Sequence, residues 1–372
     1  MSGHSGATPT TRVPEDAKTV EDVERAALAR LDPVPRVYFT MGEDRDQTVS
    51  ENKVAFTRLR LLPRLLRGVA VRSLEATVLG AKISMPVGIS PAPFHRMAHP
   101  DGEKATAKAA EAAGTVMILS MFSTTSLEDV RSAAPGALLW LQVFIHPDRT
   151  ATERLVARAQ QAGYKALCCT LDAPVGGTKS GTFGEYLKQY SNKLRAANFD
   201  DDDAKQGGKS LAQAFLDPGL TWDDLAWLKG VSILPIVVKG VLTAEAAVQA
   251  ADHGASAILV SNHGGRQLDG VPATIEVLSD IVRAVGHRCD VYLDGGVRLG
   301  TDVVKALALG ARAVFVGRPA IFGLAYNGQE GVTKVLEILR SETDRAMALM
   351  GCRSVSELHS GMVVRQERLA RL

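Results

Sequence analysis

The chain has little that would tie it to a membrane, a nucleic acid or a metal. No apolar stretch approaches the roughly 18 to 20 residues needed to span a bilayer, so no membrane segment is expected. Its 43 Lys and Arg nearly balance 41 Asp and Glu, for a net charge of +2. No basic cluster is interleaved with aromatics, which argues against a nucleic-acid partner. There are only four cysteines, Cys168, Cys169, Cys289 and Cys352, and none has metal-ligand spacing. Cys168 and Cys169 are adjacent in an apolar run, where thiols serve as small hydrophobes, and a reducing compartment fits that usage. Met1 to Thr11 are rich in Ser, Gly and Thr and lack the apolar core of a signal peptide, so a flexible tail is expected over residues 1–15.

What the chain does have is a regular series of short apolar runs. They are Met85 to Ser90, Thr115 to Ser120, Leu138 to Phe144, Ala166 to Asp172, Pro235 to Lys239, Ala257 to Ser261, Val291 to Asp294 and Ala313 to Gly317. Segments of helical periodicity lie between them, among them Gly102 to Ala113, Ala151 to Ala162, Thr243 to His253, Ile275 to Val285 and Thr301 to Leu309. Strands apolar on both faces and alternating with helices make a parallel sheet; eight such units in about 235 residues predict a (β/α)8 barrel. A doubly wound open sheet would need a glycine-rich nucleotide turn after its first strand, and Ser90-Pro91-Ala92-Pro93 is not one.

The expected organisation is a single barrel over residues 16–365, with a C-terminal tail over 366–372. Residues before Met85, including Thr48 to Asn52, are expected to form helices closing the barrel's lower end and part of its rim. The connection from Ala173 to Leu234 spends about sixty residues where the others spend about twenty, which predicts a lid-like insertion over about 175–220. It contains the aromatic-basic segment Phe183 to Leu194 and the acid run Asp200 to Asp203, most simply a solvated turn.

In this fold the working residues leave the C-terminal ends of the strands. Those ends read Ser120, Gln142 and Phe144, Thr170 and Asp172, Lys239, Ser261 with His263 and Arg266, Asp294-Gly295-Gly296-Val297-Arg298, and Gly317-Arg318. His263 and Arg266 set a proton acceptor beside a guanidinium fork, which suits a substrate with a carboxylate and a removable proton. Loops after the last two strands often bind phosphate through glycine amides and a helix start, and Arg298 and Arg318 would add charge-assisted bonds. Lys239 has two readings. It would form a Schiff base in a class I aldolase, or stay protonated where a cofactor accumulates electrons; the adjacent His–Arg pair favours the second.

These residues resemble the FMN-dependent 2-hydroxy acid oxidase family, from about Val37 to Gly361. The resemblance rests on Met97-Ala98-His99-Pro100, Ser261-Asn262-His263-Gly264, Arg266-Gln267-Leu268-Asp269, Val271-Pro272-Ala273-Thr274, and Asp294-Gly295-Gly296-Val297-Arg298 continuing through Gly300-Thr301-Asp302-Val303. It implies FMN as cofactor, a 2-hydroxy acid and O2 as substrates, H2O2 as product and a homotetrameric assembly. It further implies His263 as catalytic base, Asp172 orienting it, Arg266 gripping the substrate carboxylate, Tyr38 adding a hydroxyl to that anion or to the substrate oxygen, and Lys239 beside the flavin N1 and C2 oxygen. Ser120, Gln142, Thr170 and Ser261 would bond the isoalloxazine and ribityl groups, with the Pro91-Ala92-Pro93 backbone against the ring. Asp294, Gly295, Gly296, Val297, Arg298, Gly317 and Arg318 would hold the ribityl chain and phosphate.

Four positions depart from the family pattern. Phe144 replaces a tyrosine, Phe122 a tryptophan, and Lys179 an arginine of the loop, so polar substrate contacts are lost and larger or more apolar 2-hydroxy acids are expected over glycolate. Pro93 replaces an alanine whose N–H faces the flavin, which predicts altered flavin reactivity. A dehydrogenase passing electrons to another acceptor, and an FMN-binding barrel with impaired turnover, are the competing readings. Ala370-Arg371-Leu372 has the small-basic-leucine form of a peroxisomal tag.

Overall fold

The computed structural model describes residues 17–177, 195–199 and 215–369. Eight strands follow one another as β1 (Val87–Ile89), β2 (Val116–Ser120), β3 (Leu138–Val143), β4 (Leu167–Thr170), β5 (Ile236–Val241), β6 (Ala257–Val260), β7 (Asp290–Asp294) and β8 (Ala313–Val316). Each pairs in parallel with its neighbour in the chain, and β8 closes onto β1. The (β/α)8 architecture read from the sequence is the one observed, and every expected apolar run overlaps its strand. Ahead of the barrel lie α1 (Val20–Arg30), α2 (Pro33–Thr40) and α3 (Gln47–Thr57); α4 (Gly102–Ala113) begins the outer ring and a helix from Arg318 to Leu349 ends it, interrupted at Asn327 and Gly328.

Strand side chains alternate between two hydrophobic layers. Ile89, Met117, Leu119, Leu141, Val238, Val260 and Val316 point outward and pack with the helices. Val116, Ile118, Trp140, Cys168, Val237, Leu259, Tyr292 and Phe315 point inward and fill the barrel. Trp140, Tyr292 and Phe315 form a triangle with all three ring centroids 5.7 Å apart. Adjacent Cys168 and Cys169 fall one in each layer, and burial pushes both thiols up, Cys169 to about 12. They are inert packing groups.

The lower end differs from expectation. A hairpin of Ala76–Val78 and Ala81–Ile83, rather than helices, closes it. Val78 and Ile83 pack beneath the interior layer, and the Leu79 N–H donates to Asp290 Oδ2 at 3.1 Å and Tyr292 Oη at 3.0 Å. Two three-residue strands suffice because the aromatic triangle already fills the interior above them. The helix bearing Thr48 to Asn52 lies instead at the opposite, C-terminal mouth, where Asn52 meets Asn262 just past β6.

Described parts of the insertion after β4 dock on the barrel. Asn198 donates to Met121 O and Ser123 Oγ at 2.9 Å and accepts from Leu127 N at 2.9 Å, while Phe199 and Phe215 are buried. Residues 1–15, Lys179, the Phe183 to Leu194 segment, the Asp200 to Asp203 run and Ala370-Arg371-Leu372 lie outside the described residues. Within the expected C-terminal tail, Gln366–Leu369 form a short helix. No helix among the described residues is long and apolar enough to cross a membrane.

Because Trp140 anchors the interior layer, Trp140→Ala is expected to cost about 3–5 kcal/mol in denaturant unfolding. A loss below about 1 kcal/mol would mean that the layer is not packed as described.

Candidate active site

At the top of the barrel the inward-facing positions turn from apolar to polar. Two residues beyond Ile118 stands Ser120, beyond Trp140 Gln142, beyond Cys168 Thr170, beyond Val237 Lys239, beyond Tyr292 Asp294, and beyond Phe315 Gly317. The period of two that packs the interior thus also collects these groups on one floor. Register agrees: Ser120 pairs with Gln142, and Thr170 with Lys239.

Above the floor stand His263 and Asp172. His263 has φ +57 and opens a run of three left-handed residues with Gly264 and Gly265. Such a backbone is uncommon for a side chain of this size and persists where its surroundings over-determine it. Its N–H donates to Ser261 Oγ at 3.1 Å, and its ring Nδ1 lies 2.7 Å from Asp172 Oδ1. An ionised carboxylate only accepts, so Nδ1 carries the proton and Nε2 is the nitrogen left to take another. Lys239 Nζ is 3.9 Å from Asp172 Oδ2, an oxygen with no hydrogen bond. In its pairing with β6, β5 carries a register shift at Gly240, whose φ is +105; a Cβ there would come within 2.5 Å of Asp172 Cβ.

Burial alone would raise the Asp172 carboxyl, but His263, through its charge when protonated and its hydrogen bond, and the Lys239 ammonium hold it below the ordinary range. Burial likewise opposes the Lys239 ammonium, while Asp172 and Asp294 hold it above its ordinary value. Tyr38, buried on α2, has its hydroxyl pushed up by burial against the opposing influence of Arg266. The Arg266 guanidinium sits 4.7 Å from the Tyr38 ring centre and donates through Nη1 to Tyr38 O at 2.7 Å and Met41 O at 3.3 Å.

Two adjoining cavities of about 120 and 160 Å³ share Tyr38, Pro91, Pro93, Lys239, His263 and Arg266. The first also takes in Ala92, Asp294, Gly295, Gly296, Val297, Arg298, Gly317 and Arg318; the second takes in Ser120, Gln142, Thr170, Phe122 and Phe144. Ser261 is fully buried and lines neither, its hydroxyl serving the His263 backbone. Several participants were not singled out in the sequence. Ser90 donates to Asp294 Oδ2 at 3.0 Å, Lys53 and Asn52 line the first cavity, and Gln267 lines the second. Phe199 and Phe215, far from Phe122 in the chain, lie 5.9 and 5.4 Å from it and extend the Phe122–Phe144 wall. Only the folded insertion shows them.

The first cavity has features that suit an anion. Gly317 precedes the helix starting at Arg318, whose free amides and dipole favour negative charge. Gly296, at φ +85, lies so close to Asn52 that a Cβ would be 1.9 Å from its carbonyl oxygen. Arg318 donates to Phe39 O, Gly264 O and Met41 O at 2.7–3.0 Å, and burial with the charges of Arg266 and Arg298 pushes it down to about 9. Arg298 is lowered by burial against Glu24 and Asp302. Crowded, desolvated guanidinium groups gain from a bound anion. Thr170 Oγ1, Asp294 Oδ1 and Arg298 Nε are buried without a hydrogen-bond partner, so the lining suits a polar ligand such as FMN.

The chain is therefore a (β/α)8 barrel whose mouth joins an arginine-rich cavity to a hydrogen-bonded His263–Asp172 pair. Residues 27–365 match the model of the FMN-dependent dehydrogenase family, and the chain belongs to that family, with FMN as its cofactor. Among similar proteins, human 2-hydroxyacid oxidase 1 is 45% identical over 92% of this chain and 95% of its own length. Spinach (Spinacia oleracea) glycolate oxidase is 45% identical over 91% and 93%. A mandelate oxidase solved with (S)-mandelic acid superposes with a TM-score of 0.82 at 37% identity, covering 92% of this chain and 97% of the other.

The Asp172–Lys239 contact makes a prediction about pH. A carboxyl held below its unfolded value contributes stability that is present above about pH 4 and lost as pH falls through its folded value. An ammonium held above its unfolded value contributes below about pH 10 and loses that as pH rises. The fall in Tm caused by Asp172→Asn should thus be greatest between those limits and shrink on either side. A difference flat from pH 3 to 11 would contradict the pairing.

Proposed function

We propose that the protein oxidises (S)-2-hydroxy acids to 2-oxo acids, with dioxygen as acceptor and hydrogen peroxide as product. The observation that carries this is the His263–Asp172 pair at 2.7 Å beside Arg266, at the junction of the two cavities. The relatives named above are hydroxy acid oxidases, which supports the same reading.

In this reading the floor residues Ser120, Gln142, Thr170 and Lys239, with the Pro91-Ala92-Pro93 backbone, hold the flavin ring. Gly295, Gly296, Arg298, Gly317 and Arg318 hold its phosphate. FMN supplies the two-electron acceptor. Arg266 and Tyr38 orient the substrate carboxylate, and His263 Nε2 takes the substrate proton. Asp172 stabilises the resulting imidazolium and fixes the tautomer. Lys239 keeps a positive charge at the floor, opposite the place where electrons arrive.

Substrate choice follows from the wall. Phe122 and Phe144 present rings and no hydroxyl, with Phe199 and Phe215 packed against Phe122, and Phe144, Thr170, Ala173 and Leu216 border a further cavity also lined by Leu171, Phe215, Leu220 and Trp222. Larger or more apolar acids are favoured over glycolate.

Anaerobic addition of L-lactate or 2-hydroxyoctanoate should bleach the yellow holoenzyme, and His263→Asn should slow that bleaching at least about a hundredfold with FMN retained. Bleaching at an unchanged rate in the variant would remove His263 from the chemistry. Bleaching without peroxide formation in air would assign another acceptor. Along a series from glycolate to 2-hydroxyoctanoate, kcat/KM should rise; a steady fall would overturn the substrate assignment.

A further inference from the structure

We infer that Asp269 is a positioning residue for the hydroxy acid site, holding the segment that carries Tyr38 against the loop that carries His263 and Arg266. The inference rests on the activity proposed above.

Asp269 lies on the loop after β6, six residues past His263, yet its partners are at the other end of the chain. Its Oδ1 accepts from the Thr48 N–H at 2.8 Å, and Oδ2 accepts from the Arg45 and Gln47 N–H groups at 3.2 Å. Gln47 and Thr48 are the first two residues of α3, so this carboxylate caps that helix from more than 220 residues away. The residue placed to cap it locally, Asp46, has φ +59 and directs Oδ1 to the Gly42 N–H at 2.6 Å instead. Those three amides hold the Asp269 carboxyl down at about 2, so it is charged under any physiological condition.

The cap is one end of a ladder. Gly270 N–H donates to Thr48 Oγ1 at 2.9 Å, Glu43 N–H donates to Gly265 O at 2.8 Å, and Asn52 and Asn262 exchange side-chain hydrogen bonds of 2.9 and 2.7 Å. At the other end Arg266 reaches Tyr38 O and Met41 O. Residues 38–52 and 262–270 are thereby tied together along their length, although neither is part of the barrel sheet. Tyr38 and His263 belong to different strands of that ladder, so their separation depends on its register. Asp269 makes no lining contact with either cavity. It acts through Tyr38.

The test is a double-mutant cycle on the FMN-loaded full chain. Asp269→Ala should raise KM for the hydroxy acid about tenfold and lower kcat less, with FMN retained. Asp269→Asn, which keeps one acceptor oxygen, should recover part of the loss. In a Tyr38→Phe background, Asp269→Ala should cost less than twofold, because the two residues share one pathway. Additive losses, or a lowered Tm with kcat/KM within twofold of wild type, would overturn the inference and leave a merely structural cap. A second readout is independent of the substrate: amide hydrogen exchange over residues 38–48 should speed up in Asp269→Ala. Unchanged exchange there would reject the clamp even if the wild-type enzyme bleached normally, whereas failure of the wild-type enzyme to bleach would reject the activity and leave the exchange result to decide the clamp.

Discussion

Closing eight parallel strands into a barrel leaves every second side chain no destination but the interior. The rest of this molecule depends on that constraint. Lower positions on this inward parity are filled by Trp140, Tyr292, Phe315 and their neighbours, which make a dry plug. Upper positions on the same parity are Ser120, Gln142, Thr170, Lys239 and Asp294. A single alternation therefore builds both the support and the reactive floor, and a rigid, water-free support is what a preorganised site requires.

Electrostatics then sorts the mouth into two regions. Arg266, Arg298 and Arg318 crowd together over backbone carbonyls, and burial with mutual repulsion lowers Arg318. Beside them Asp172 is the carboxylate that neutralises Lys239 and orients His263. A net surplus of positive charge in a desolvated cavity is costly without a bound anion, and under the proposed function a cofactor phosphate and a substrate carboxylate would answer it. The same Asp172 that orients the base also holds the lysine charged, which couples the two halves of the proposed chemistry.

Much of this was legible in the chain. The barrel could be read because strands buried on both faces are continuously apolar, and their spacing repeats. Lys239, His263 and Arg266 stood out because a polar residue at the end of such a run has no packing reason to be there. Other parts were not legible. Two three-residue strands around Leu79 carry too weak a pattern to be told from loop, so helices were expected at the lower end. Phe199 and Phe215 read as ordinary apolar residues of a long insertion, and Asp269 as part of a motif whose remaining members had clearer uses.

The sequence by itself determined the elements whose cause is local: period-two strands, amphipathic helices, glycine-rich turns, and so the fold and the family's chemistry. Only the tertiary structure decided contacts such as Asn52 with Asn262 and Gly296, and Asp269 with the start of α3. The reason is physical. Local propensity acts over a few residues, whereas these contacts exist only once barrel closure has brought distant segments to one mouth and removed the water that would otherwise satisfy them.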